Sequence, residues 1–261
     1  MEKIWQAAQG LQEELVVMRR DLHKHPESGW TEFRTASIVV KELEKLGYAV
    51  AYGAEVVDEA SMMGVPSEAD LQKYMERAIS EGADEAVVAK MAGGKTGVVA
   101  VLDSGKPGKT VGFRFDMDCN DVEEYASAGH RPMQEGFSSC HANAMHACGH
   151  DGHVTVGLAV AKLLAEHKDE LVGKVKLIFQ PAEEGVRGAY AMINAGVADD
   201  IDYFFGGHIA FKATTDDSLV CLTDGFLATT KLDAVYKGVS AHAGLAPQDG
   251  KNALLAAAQA S

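Results

Sequence analysis

The sequence predicts an α/β protein, a mainly parallel sheet flanked by helices, followed by the start of a smaller α+β unit. Three observations carry this. Short apolar runs alternate with segments of helical period, the pattern of a sheet covered on both faces. Clusters of His, Cys, Asp and Glu stand directly after several of those runs, where open sheets bind ligands. Beyond Cys221 the pattern changes.

The elements follow in chain order. Ile4, Ala8, Leu11, Leu15 and Met18 or Leu22 recur every three to four positions and predict an amphipathic helix over 4–22, ended by His23-Lys24-His25-Pro26-Glu27. A second helix is predicted over 31–46, with Ile38, Val39, Leu43 and Leu46 on one face and Gly47 as its stop. A short strand follows at 48–50. The stretch 51–94 is rich in Ala, Glu and Asp and helical in period around 71–91, too polar for sheet core, and reads as a peripheral helical insertion. Strands are predicted at 97–102, 111–115, 175–179 and 203–207, and helices at 153–164 and 188–195. Then 226–236 alternates as a strand, and 252–260 is helical. This places one domain over 1–222 and the opening of a second over 223–261, so that the 261 residues are expected to stop inside the second domain.

Composition narrows the function classes. Hydrophobic residues make up 47% and charged residues 24%, enough to bury a sizeable core and too apolar for global disorder. Lys and Arg number 24 against 38 Asp and Glu, a net charge of −14 that repels nucleic acid and anionic lipid. No apolar run approaches the roughly 18 residues of a membrane helix. Cys119, Cys140, Cys148 and Cys221 are irregularly spaced and fit reduced thiols, and no secretory signal is read at the start, so a cytoplasmic compartment is expected. Gly93-Gly94-Lys95-Thr96 lacks the earlier glycine of a phosphate loop, since position 89 is Ala89.

The chemistry lies in four clusters. Asp116-Met117-Asp118 follows the strand at 111–115, Gln180-Pro181-Ala182-Glu183-Glu184-Gly185 follows 175–179, and His208 follows 203–207. The fourth, His146-Ala147-Cys148-Gly149-His150-Asp151-Gly152-His153, opens a helix. Imidazole, thiolate and carboxylate are the ordinary ligands of first-row divalent metals. Cys148 and His150, two apart in an extended loop, would face the same side, with Gly149 and Gly152 permitting a tight backbone. Adjacent carboxylates such as Glu183 and Glu184 can divide the labour of ligand and general base. Taken singly, a Cys-Gly-His triplet is commonly incidental and a Glu pair commonly a solvated loop. Their coincidence gives them weight. His23 and His25 are expected to pack or cap, His141 and His146 to cap or support, and Cys119, Cys140 and Cys221 to be buried small residues. Arg187 and Arg131 are candidate partners for an anionic product, but each suits the surface equally well and both stay outside the site.

Together the 146–153 cluster, the Phe179-to-Gly185 run, Asp-Met-Asp, Gly207-His208 and Ser240-Ala241-His242-Ala243-Gly244 resemble the dinuclear metal aminoacylase/carboxypeptidase family, amidohydrolases of N-acyl amino acids, along essentially the whole chain. The resemblance implies a zinc-peptidase-like catalytic domain followed by a dimerisation or lid domain. It implies two divalent ions held by Cys148, His150, Glu184 and His208, with Cys148 bridging. Mn2+ is favoured by the resemblance, and the thiolate equally suits Zn2+. Glu183 matches the general base, Asp116 the supporting carboxylate, and His242 the histidine that reaches across a dimer to stabilise the oxyanion. The implied substrate is a small N-aroyl or N-acyl amino acid, p-aminobenzoyl-glutamate foremost and N-acetyl- or indoleacetyl-amino acids as the alternative. The implied partner is a second copy of the chain or a related one that forms a heterodimer with it. The sequence departs from the family in lacking a further metal-binding histidine, which leaves another reading open, that of a truncated protein with a non-catalytic assembly role. It also departs in carrying Cys119-Asn120 where small apolar residues are usual.

Overall fold

A computed structural model describes residues 2–209, 215, 218–221, 224–225, 228–230, 232 and 234–260. The chain divides into two compact units, Met1–Leu219 and Val220–Ser261.

In the first unit the helix expected over 4–22 is two helices, α1 (Glu2–Gly10) and α2 (Gln12–Lys24). The break falls beside Gly10, a poor helix former. Helix α3 (Phe33–Lys45) buries Phe33, Ala36, Val39, Val40 and Leu43. The fully buried Glu27 carboxylate accepts the Arg34 and Thr35 N–H groups at 2.9 and 2.8 Å, satisfying donors that a helix start leaves unpaired. Strand β1 (Ala49–Tyr52) leads to α4 (Glu68–Ser80), whose N-cap Ser67 accepts from Asp70 N, and α5 (Glu85–Lys90), whose N-cap Asp84 accepts from Ala86 and Val87 N. These two helices are not peripheral. Leu71, Ala78, Ala83, Val87, Val88 and Met91 join the same core as α3, while the polar residues that suggested a surface insertion occupy the outer faces.

The remaining elements are β2 (Val98–Asp103), β3 (Thr110–Asp116), α6 (Arg131–Gln134), α7 (His150–Glu166), β4 (Lys174–Gln180), α8 (Gly188–Asn194) and β5 (Tyr203–Gly206). The helix-flanked sheet is as expected, with order β1-β2-β4-β3-β5. Its directions are mixed rather than mainly parallel. β1 with β2 and β2 with β4 are antiparallel, whereas β4 with β3 and β3 with β5 are parallel. Strand direction depends on partners far apart in sequence, Val98 opposite Phe179 for example, and period-2 alternation looks the same either way. The register pairs Asp116 with Gln180 and Arg114 with Gly206, so β3, β4 and β5 end together at one edge.

In the second unit, Val239 and Lys251 form an isolated antiparallel bridge, and α9 (Ala253–Ala260) starts after Asn252, whose Oδ1 accepts Leu255 N–H. The strand expected over 226–236 falls partly outside the described residues, and those described there are not in a strand. Among the described residues no helix is long and apolar enough to cross a membrane.

Candidate metal centre

The clusters after β3, β4 and β5 and at the start of α7 meet at the shared strand edge. Asp116, the last residue of β3, is fully buried. Its Oδ1 accepts from His153 Nδ1, and its Oδ2 lies 2.8 Å from Arg114 Nη1. Burial alone would raise its carboxyl, but the His153 hydrogen bond and the Arg114 charge outweigh burial and hold it at about 2. Two residues on, Asp118 uses its backbone oxygen to accept His150 Nδ1–H at 2.8 Å and its Oδ2 to accept Glu184 N–H at 2.9 Å.

Gly149 precedes α7 in the left-handed region, φ +87. The expected extended loop is therefore a sharp turn, because a residue without Cβ adopts that φ without strain. The turn still brings Cys148 and His150 together, with ligand atoms of Cys148, His150 and Glu184 all within 4.8 Å of one another. His208, just after β5, places Nε2 3.3 Å from Cys148 Sγ and donates Nδ1–H to Ile209 O at 2.7 Å.

Glu183 and Glu184 ride a turn from Pro181 to Gly188 that is fixed from several sides. Ala182, buried at φ +47, donates its N–H to the buried Glu32 carboxylate at 2.7 Å. A Cβ at Gly188 would come within 1.7 Å of Pro181 O, so only glycine closes the turn. Arg187 donates to Gly64 O and Glu184 O at 2.9 and 3.1 Å. The Glu183 carboxylate oxygens lie 3.9 Å from Arg114 Nη2 and 3.8 Å from His150 Nε2.

Cys148, His150, Glu184, Glu183, Asp116 and His208 thus come together. His242 lies in the second unit, where its Nδ1 accepts Gly244 and Leu245 N–H at 3.2 and 3.1 Å. Three participants were not assigned from sequence: Asp118, Arg114 and His153. Arg114, Asp116 and Asp118 alternate along one chain direction, and His153 stands one helical turn after His150, so both periodicities carried the signal. By distance His153 groups with Asp116, His150 and His208 as a possible ligand set. Its hydrogen bonds place it differently: Nδ1–H goes to Asp116 and Nε2 accepts Ile209 N–H at 2.9 Å, which leaves no lone pair for a metal.

Other expectations fare variously. His23 packs, bonding Asp151 and Glu124 at 2.8 and 3.2 Å. His146 neither caps nor supports: both ring nitrogens are buried without a hydrogen-bond partner, and burial lowers it to about 4, which keeps it neutral. Cys119 is buried, but Cys140 and Cys221 are exposed.

The chemistry of the site fits a cation. His150 Nε2, Glu184 Oε1 and Asp118 Oδ1 are buried without hydrogen-bond partners, an arrangement that costs free energy unless something else engages them. Burial and then Glu184 and Glu183 push the Cys148 thiol up to about 12. Burial disfavours the His150 imidazolium, yet Asp118 and Asp116 outweigh it and raise the group to about 9. Both shifts report a pocket short of positive charge. The imidazole–thiolate–carboxylate donor set, with His150 Nδ1 tied to a backbone carbonyl, is that of a divalent transition-metal site.

Comparison with known proteins gives a consistent picture. The sequence model of peptidase family M20/M25/M40 matches residues 112–257. The chain is 52% identical to one of the named subunits of the p-aminobenzoyl-glutamate hydrolase of Escherichia coli over 261 residues, all of this chain and 60% of that protein. It is 52% identical to the indole-3-acetyl-aspartic acid hydrolase of Enterobacter agglomerans, over 95% of this chain and 57% of that protein. The chain therefore spans about 60% of the length of these curated relatives. Among solved structures, an aminobenzoyl-glutamate utilization protein from Klebsiella pneumoniae superposes with a TM-score of 0.69 at 39% identity, covering 98% of this chain and 58% of that one. A dinuclear metal binding peptidase of the M20 family from Bacillus subtilis superposes with a TM-score of 0.55 at 29% identity, covering 77% and 44%. With the family pattern running through the clustered site residues, the chain belongs to peptidase family M20/M25/M40.

Proposed function

We propose that the chain carries the metal centre of an amidohydrolase that cleaves N-aroyl or N-acyl amino acids, p-aminobenzoyl-glutamate first among them. The observation that carries this is the set of buried, unpartnered donor atoms on His150, Glu184 and Asp118 beside Cys148 and His208. The substrate is suggested by the names of the Escherichia coli and Klebsiella pneumoniae proteins.

In this reading Cys148, His150, Glu184 and His208 would hold two divalent cations. Such cations, Mn2+ or Zn2+, would supply Lewis acidity toward an amide carbonyl and make water a better nucleophile at neutral pH. Glu183, held above the usual carboxylate range by burial and by Asp116, takes the proton of the attacking water and returns it to the leaving amine nitrogen. Asp116 orients the site through His153 and Arg114. His242 of the partner subunit, in a smaller dimerisation or lid domain beginning near residue 223, reaches across the dimer and donates a hydrogen bond to the oxyanion. The enzyme is read as a cytoplasmic dimer, either of two copies or of this chain with a related one. The Escherichia coli relative, which its name designates a subunit, supports such an assembly.

The test is hydrolysis after loading with Mn2+ or Zn2+, comparing p-aminobenzoyl-glutamate, hippurate and an N-acetyl amino acid. Highest kcat/KM on p-aminobenzoyl-glutamate supports the full reading. Preference for another of the three overturns the substrate. Metal uptake without turnover on any of them favours the non-catalytic assembly role.

A further inference from the structure

A second group of metal-ligating side chains lies outside the site just described: Glu81, Cys140 and His141, with one ligand atom from each within 4.8 Å of the others. The three come from two separate segments, each anchored. Glu81 follows α4, and its backbone oxygen accepts Arg34 Nε–H at 3.0 Å. Cys140 donates its N–H to Lys24 O at 2.9 Å, and His141 donates its own to Ser139 Oγ at 3.1 Å.

Around His141 the hydrogen-bond inventory closes only with a positive centre between its ring and a carboxylate. Nδ1 lies 2.8 Å from the Pro26 carbonyl, which can only accept, so Nδ1 carries the hydrogen. Nε2 lies 2.7 Å from Glu81 Oε1. A neutral imidazole has spent its one N–H on Pro26 and turns a lone pair toward a carboxylate. That contact needs a positive centre, either a second proton or a metal ion. Glu81 Oε2, the other oxygen of the same carboxylate, is buried without a hydrogen-bond partner. Cys140, which is exposed, completes the group with its Sγ.

We propose that Glu81, Cys140 and His141 bind one zinc-type divalent cation, at a site separate from the Cys148 centre. A thiolate and a carboxylate balance the charge of a divalent ion, and the S, N, O donor set selects zinc-like ions over Mg2+ or Ca2+. The His141 Nδ1 bond to a backbone carbonyl is the support that metal-bound imidazoles ordinarily have. Tetrahedral zinc with bonds of about 2.0–2.3 Å keeps its donors roughly 3.5 Å apart, so an ion entering between them would open the 2.7 Å contact of His141 Nε2 with Glu81 Oε1. Burial and the Glu81 carboxylate raise the Cys140 thiol, so zinc uptake releases a proton.

The experiment is metal counting on the full chain, stripped with chelator and dialysed against Zn2+, with Cys140→Ser and His141→Ala beside the parent. The parent is expected to hold one zinc more than either variant, at unchanged circular dichroism. Cobalt substitution supplies a second measurement that survives misfolding of a variant. Thiolate-to-cobalt absorption should persist in Cys148→Ser and vanish when Cys140→Ser is added. Equal zinc content in the parent and Cys140→Ser, or no thiolate band in Cys148→Ser, overturns the proposal. Neither result depends on hydrolysis or on the Cys148 centre.

Discussion

The two walls of the candidate metal centre are built in different ways. Asp116, Asp118, His150 and His153 stand at the end of β3 and in the first turns of α7, none more than 5% exposed, and they bond chiefly to one another and to the backbone. Glu183 and Glu184 stand on a turn that passes through left-handed backbone at Ala182 and Val186, and the Glu183 side chain is 33% exposed. The strand wall is continuous with the core, so its residues support the fold and the site at once. The turn wall is held by a few anchors and can be altered without unfolding what lies beneath.

The sharpest test is Glu183→Gln. It should lower turnover about 1,000-fold, the mid-range for loss of a general base and about 4 kcal/mol of barrier, with metal content and thermal midpoint unchanged. Full turnover removes Glu183 as the base, and a large fall in thermal midpoint breaks the contrast between walls. Asp116→Asn should do the opposite. It leaves Arg114 and His153 beside a neutral amide, and breaking a buried charged set costs about 3 kcal/mol, readable by urea denaturation. Metal affinity should fall about 10- to 100-fold with it. If Asp116→Asn is as stable as the parent, the strand wall is not part of the core in the sense argued.

Asp21, on α2 and away from both walls, supplies the control. The His25 hydrogen bond, together with paired contacts from Arg34 at 3.0 and 3.1 Å, holds its carboxyl at about 2 against an ordinary 3.8. A lowered folded value adds stability above pH 3.8 and loses it as pH falls toward 2. Because Asp21 is 43% exposed, solvent screening reduces this to about 1 kcal/mol. Asp21→Asn should therefore cost that amount at pH 7 and progressively less as pH falls through about 2, with turnover unaffected. The smallest effect belongs to Val186, a β-branched residue at φ +59 on the exposed side of the turn. Val186→Gly relieves left-handed strain and adds chain entropy to the unfolded state, for a net gain of about 0.5 kcal/mol in the same denaturation assay. A loss of stability there means the turn wall is held by its side chains more than by its backbone.

Much of this was legible beforehand. The 3-to-4 spacing located α3 and α7 to within a few residues, and the donor clusters after 111–115, 175–179 and 203–207 pointed to one edge of a sheet. The less legible features were those that depend on distant partners. Nothing local announced that β4 inserts between β2 and β3, or that the polar 51–94 stretch turns Leu71 and Val87 into the core. In the sequence His153 is one more imidazole in the run that holds Cys148 and His150. Only its bonds to Asp116 and Ile209 show it as a support.

The sequence by itself determined where elements form and which donors they carry, because periodicity, capping and side-chain chemistry act over a few residues. Only the tertiary structure decided which donors meet, which oxygens and nitrogens are left buried without partners, and how far their neighbours shift them. Those properties arise from contacts such as His150 with Asp118, Ala182 with Glu32 and His141 with Glu81. Burial turns each of these from a weak exposed contact into a strong one, and burial is a property of the folded chain.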